Sequence, residues 1–169
     1  MKKFIGVLII WIVLTSAGSQ TGIPRAQAMF IYNFSRLIEW PASYKDGPFI
    51  IGSVGSSQTY TELLAYTENK SVGSQTIQVK KFDEPNQISN CHILFVPFSK
   101  TKQMSEVVSA LASKSTLIIC EKNGAIDEGA AINFLVIGDK LKFEVKPSNA
   151  TSRQIKLSSK LSEMAFKTY

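Results

Sequence analysis

The chain has 169 residues, of which 44% are apolar, 10% aromatic and 19% charged, and its formal net charge is +6. This length suits one domain with a substantial core, and the ordinary composition, without low-complexity tracts or a fixed-period repeat, argues against disorder and against a repeat array. Its 19 basic residues are scattered among 13 acidic ones rather than gathered in a stripe with interleaved aromatics, which argues against a nucleic-acid partner.

Residues 1–20 have the three-part form of a secretory signal peptide: MKK, the apolar run FIGVLIIWIVL, then small residues. Cleavage is expected near Ala17 or Gly18, leaving a domain at 21–169. The run from Phe4 to Leu14 is shorter than the roughly 20 residues a membrane-spanning helix needs. The first cysteine is Cys91, so a lipid-anchored N-terminus is not expected either. The mature protein is therefore expected to be soluble and exported, with a formal charge lowered by the loss of Lys2 and Lys3.

Pro24 can open a helix, where its missing N–H costs nothing. Ala26, Phe30, Phe34, Leu37 and Ile38 recur at spacings of three and four and predict one apolar stripe, with Asn33, Arg36 and Glu39 off it. Trp40-Pro41 is the expected stop, because a residue before proline is pushed out of the helical region. Strands are predicted at Pro48–Val54, Thr76–Phe82, Cys91–Phe98 and Ser115–Cys120, with helices at Thr59–Glu68 and Lys102–Ser113 between them. AINFLVIG and KLKFEVK, joined at Gly138-Asp139, predict an antiparallel hairpin at one edge of the sheet, the lysines of KLKFEVK on its wet face. After Pro147 a final helix is expected, with Leu157, Leu161, Met164 and Ala165 on one face. Alternating strands and helices specify an α/β fold: a single three-layer domain whose six-stranded mixed sheet, parallel at its centre with the antiparallel hairpin at its end, is flanked by four helices.

Several phrases in order carry a family likeness. They are YNFSRLIEWP from Tyr32 to Pro41, CHILF from Cys91 to Phe95 followed by Ser99, Gly129 before Ile132-Asn133-Phe134, Phe143-Glu144-Val145, and Ser158-Ser159 with Leu161. Over about Ile23 to Ala165 the chain resembles the YfiR-like family of bacterial periplasmic regulators. It departs from the family pattern at Ala130, Lys146 and Ser162. The resemblance implies a periplasmic, non-enzymatic regulator that binds the outer part of a membrane-anchored signalling protein, a diguanylate cyclase of cyclic di-GMP signalling or a sensor kinase. It also implies a homodimer.

The residues themselves offer little chemistry. Cys91 opens one predicted strand and Cys120 closes another, on the order of 15 Å apart if the strands are parallel neighbours. A disulfide between them is not expected, since a bridge needs Cα atoms within about 7 Å. His92 is the sole histidine, and no second His or C-x-x-C accompanies it, so no metal site, cofactor or histidine-based catalysis is expected. GSVGSS, Gly52 to Ser57, matches no phosphate-loop pattern and reads as a plain strand-to-helix turn. Acidic residues form no close pair suited to acid/base catalysis, so an enzyme is not expected.

Surfaces remain. Arg36 and Glu39 either pair on the first helix or join Asn33 and Trp40 in a polar-aromatic patch for a partner. A rival reading is a periplasmic small-ligand-binding module, its crevice at the carboxyl ends of the central strands near Ser99, Glu121 and Asn123.

Overall fold

A computed structural model describes residues 22–169; the expected signal segment lies outside the described residues. In chain order the elements begin with helix α1 (Gly22–Ser35), strand β1 (Ile38–Glu39), strand β2 (Phe49–Val54), helix α2 (Gln58–Thr67), strand β3 (Ser71–Val72) and strand β4 (Gln75–Phe82). Strand β5 (Ile93–Val96) then leads through a 3-10 turn to helix α3 (Met104–Ala110), and strands β6 (Leu117–Cys120), β7 (Ile132–Ile137) and β8 (Lys140–Val145) follow. Helix α4 (Pro147–Thr151), strand β9 (Lys156–Leu157), helix α5 (Ser159–Met164) and strand β10 (Lys167–Thr168) close the chain.

The main sheet has the order β10-β8-β7-β6-β5-β2-β4-β3. β4, β2, β5, β6 and β7 run parallel, and β8 returns antiparallel to β7. The mixed α/β class and the parallel centre match the sequence reading; the strand count does not, because the sheet has eight strands rather than six. The additions are β3 and β10, each two residues long, too short for an alternating pattern to register. β10 pairs with the outer side of β8, so the hairpin is not the edge.

Period-two alternation in the central strands makes two cores. Phe49, Ile51, Ile93, Phe95, Leu117 and Ile119 face one side, where they meet Ile31 and Phe34 of α1 and Leu63 of α2. Val54, Leu94, Val96, Ile118 and Cys120 face the other, against Met104, Val107 and Leu111. Both faces of the sheet are therefore covered, as a parallel sheet requires. Gly52 shows how tightly: a Cβ there would lie 2.8 Å from the Phe82 ring and 2.9 Å from Leu94 Cδ1. Gly52→Ala is expected to cost about 1–3 kcal/mol by overpacking; a urea midpoint at or above wild type would refute that.

Two helices end differently from the sequence reading. α1 stops at Ser35, not Trp40, because the Ser35 hydroxyl donates to Tyr32 O (2.6 Å) and Leu37 N closes the turn onto Phe34 O (2.8 Å). Residues 38–39 are then extended and pair antiparallel with β9. The single C-terminal helix expected after Pro147 is instead α4, β9 and α5. Gln154 adopts a left-handed backbone (φ 61°) that ends the first piece, and the Ser158 side chain caps the second by accepting from Leu161 N. Hence α-helices number five among the described residues, not four.

Candidate functional site

The described residues hold no cluster of three His, Cys, Asp or Glu that could bind a metal ion, and no helix among them is long and apolar enough to cross a membrane. Their chemistry gathers instead at the two ends of the parallel strands.

At the amino ends lies a knot around His92. Its ring stacks on Phe49 (4.1 Å between centroids) and meets Tyr44 and Trp40 edge-on. Nδ1 accepts from Ile50 N (3.1 Å), which fixes the proton on Nε2, and Nε2 donates to Tyr44 O (2.7 Å). Its backbone N–H donates to Ile50 O and its carbonyl accepts from Leu117 N, so His92 stitches strands on both sides. The same carbonyl accepts from the Trp40 indole (3.1 Å). Burial pushes the imidazole below its ordinary value, opposed in part by the bond to Tyr44. Below about 6.5 the unfolded chain takes up a proton that the folded chain resists. This contribution to stability is complete above that pH and is lost as the pH falls from there toward the lowered folded value. Urea midpoints at about pH 7.5 and about pH 5 are expected to differ more for wild type than for His92→Gln. Equal differences would remove His92 from the pH dependence.

Of the residues expected at a partner surface, Asn33 and Arg36 are exposed where α1 ends, Glu39 is exposed on β1, and Trp40 is buried at 6% exposure. Glu39 and Trp40 border a pocket of about 270 Å³ with Tyr44, Gln75 and His92, which Asn33 and Arg36 do not reach. Arg36 and Glu39 do not form the ion pair that a continuous helix would have allowed, because α1 has ended before them.

At the carboxyl ends lies a crevice of about 340 Å³ lined by Gln27, Phe98, Glu121, Lys122, Asn123 and the β7 residues Phe134 to Val136. Of the residues expected at a ligand crevice, Glu121 and Asn123 line this one and Ser99 does not, because it sits in the 3-10 turn with Phe98 at the rim. Glu121 is held on both oxygens, by Gln27 Nε2 (2.5 Å) and by Phe98 N (2.8 Å), while Gln27 Oε1 accepts from Thr59 Oγ1 (2.5 Å). Gln27 is 2% exposed and falls on the buried face of α1 among Ala28, Ile31 and Phe34. Sequence reading passed over it, and the sole signal was an amide among otherwise apolar inward positions. Behind the crevice, Asn133 accepts from Lys122 N and donates to Glu144, whose other oxygen accepts from Tyr169.

Cys91 and Cys120 are both free and buried, and burial pushes each thiol up to about 12. Cys120 is in register with Val96, five residues beyond Cys91 and roughly 16 Å away along the strand. GSVGSS forms a strand-to-helix turn in which Gly55 has φ +69° and Ser57 caps α2 by accepting from Tyr60 N (3.0 Å).

No curated protein matches the chain. Among solved structures it is similar to the ABC domain of Streptococcus pneumoniae crystallised in complex with L-Trp, with a TM-score of 0.59 and 14% identity over 86% of this chain. It spans 60% of that structure's length, and the likeness is one of fold. The sequence profile described as YfiR/HmsC-like matches residues 24–166, which take in all but the first two residues of α1, the whole sheet except β10, and both ends where polar residues gather. The chain therefore belongs to the YfiR/HmsC-like family.

Proposed function

We propose that the protein is an exported, non-catalytic regulator that binds the extracytoplasmic part of a membrane signalling protein, a diguanylate cyclase or a sensor kinase, and modulates its activity. Membership of the YfiR/HmsC-like family over residues 24–166 carries this reading. Its place of action is the periplasm, reached through the signal segment at the N-terminus. The mechanism is occupancy: the bound domain stabilises one conformation of the receptor's outer segment by its differential affinity, and release shifts the population back. Asn33, Arg36 and Glu39 supply exposed polar contacts beside the end of α1, and Trp40 anchors the segment that carries them.

Affinity capture from detergent-solubilised membranes of the native host tests this. Recovery of a cyclase or kinase is the expected result. A stoichiometric small molecule with no protein partner would overturn it in favour of a periplasmic ligand-binding module, for which the crevice around Glu121 and Asn123 is the observation in hand.

A further inference from the structure

We propose that the open edge of β7 beyond the end of β6 takes up an extended segment of a protein partner as an added strand, one whose side chains alternate apolar and acidic. β6 ends at Cys120, paired with Asn133, while β7 runs on to Ile137. From Phe134 onward β7 has β8 on one side and, among the described residues, no strand on the other. The direction of its backbone groups follows from the ladder. The carbonyls of Phe143 and Val145 accept from Phe166 N and Tyr169 N on the β10 side. Their β7 partners Phe134 and Ile132 thus sit in pairs without hydrogen bonds between them. The two-residue period places Val136 in the same class, so its N–H and C=O point across the open edge.

The sequence leaves this edge undefended. Residues 134–137 read Phe-Leu-Val-Ile, with none of the charges or prolines that keep exposed strands from pairing. Val136 is 57% and Ile137 44% exposed, and the crevice between Phe98 and β7 lies where β6 would have continued. Phe98, 71% exposed, forms its far wall.

Alternation specifies the occupant. Phe134 and Val136 share one face with Phe143 and Leu141, while Leu135 and Ile137 share the other with Lys142 and Lys140. Neither lysine has an ion-pair partner among the described residues. On one face an added strand meets Phe134 and Val136; on the other it meets Leu135 and Ile137 first and, one strand further out, Lys142 and Lys140. The apolar side chains take its inner contacts, and two strand spacings, roughly 10 Å, separate its outward side chains from the two cations, a span that a lysine and a glutamate side chain together bridge. Pairing β7 with β7 of a second copy would bring these lysines toward each other, which argues for an acidic partner instead. The inference rests on the reading that the chain acts by binding a protein, and adds where and in what conformation.

A fluorescein-labelled peptide of alternating glutamate and valine is the probe, with a lysine–valine peptide as control, both read by anisotropy on the full chain. The acidic peptide is expected to bind wild type. Lys140→Glu with Lys142→Glu, both at exposed positions, is expected to weaken it by roughly tenfold or more and to admit the lysine–valine peptide. Val136→Pro, which removes an edge donor and no bond to β8, is expected to abolish binding. Equal affinity across these proteins, binding of neither peptide, or a concentration-dependent dimer that Val136→Pro abolishes would each overturn the proposal. In the membrane capture, recovery of the partner by wild type and both variants alike would refute this surface and leave the regulator standing; recovery by none, wild type included, would count against the regulator, and the peptide titration would still decide the edge.

Discussion

Trp40→Ala is expected to lower the free energy of unfolding by about 3–5 kcal/mol, whereas Arg36→Ala, from the same short phrase, is expected to change it by no more than about 0.5 kcal/mol. The indole is 6% exposed, packs edge-on against Phe49 at 5.1 Å, and donates to the carbonyl of His92. Its removal leaves a cavity beside the amino ends of β2 and β5 and strips one of the two donors from that carbonyl. Arg36 is exposed and makes no ion pair among the described residues, so its loss removes little that holds the fold. Urea denaturation of the two variants separates scaffold from surface within YNFSRLIEWP. A loss below about 1 kcal/mol for Trp40→Ala would show that the knot around His92 carries little of the stability.

Asn133→Leu is the second large effect, about 2–4 kcal/mol of destabilisation. Asn133 has no exposed surface, and its amide serves Lys122 N on one side and Glu144 on the other. Leucine fills a similar volume, so the cost is not a cavity. It comes from an unpaired backbone N–H and from a Glu144 carboxyl, 7% exposed, left with Tyr169 alone among these partners. A lowered urea midpoint with unchanged slope is the expected signature. If Asn133→Leu matched wild type while Tyr169→Phe did not, the network would run through the C-terminal strand rather than through β7.

The central strands were legible because burial on both faces demands unbroken apolar runs such as Ile93–Val96 and Leu117–Cys120, which few other structures require. The hairpin was legible from Gly138-Asp139 between two alternating runs. What escaped was decided by partners far away in the chain. β1 and β9 are two residues each and exist because they pair with one another. Pro41 predicts a helix running to Trp40, but the Ser35 hydroxyl competing for Tyr32 O ends α1 sooner. Gln27 acquires meaning through Thr59 and Glu121, neither of which is near it in sequence. Glu121 and Asn123 line a crevice at the carboxyl ends of the parallel strands, the place where such sheets keep them, whereas Ser99, inside the 3-10 turn, lies outside it.

The pairing of β1 with β9 also bears on how the molecule assembles. Ile38 meets Leu157, about 120 residues later, and Ser158 N donates to Leu37 O beside them. Loop-closure entropy makes such a contact a late one, so α1 can dock on the sheet before the chain that fastens its exit has been placed. The two halves of this fastening therefore enter the fold at different times, and the exit of α1 is pinned only when Lys156 and Leu157 reach Glu39 and Ile38.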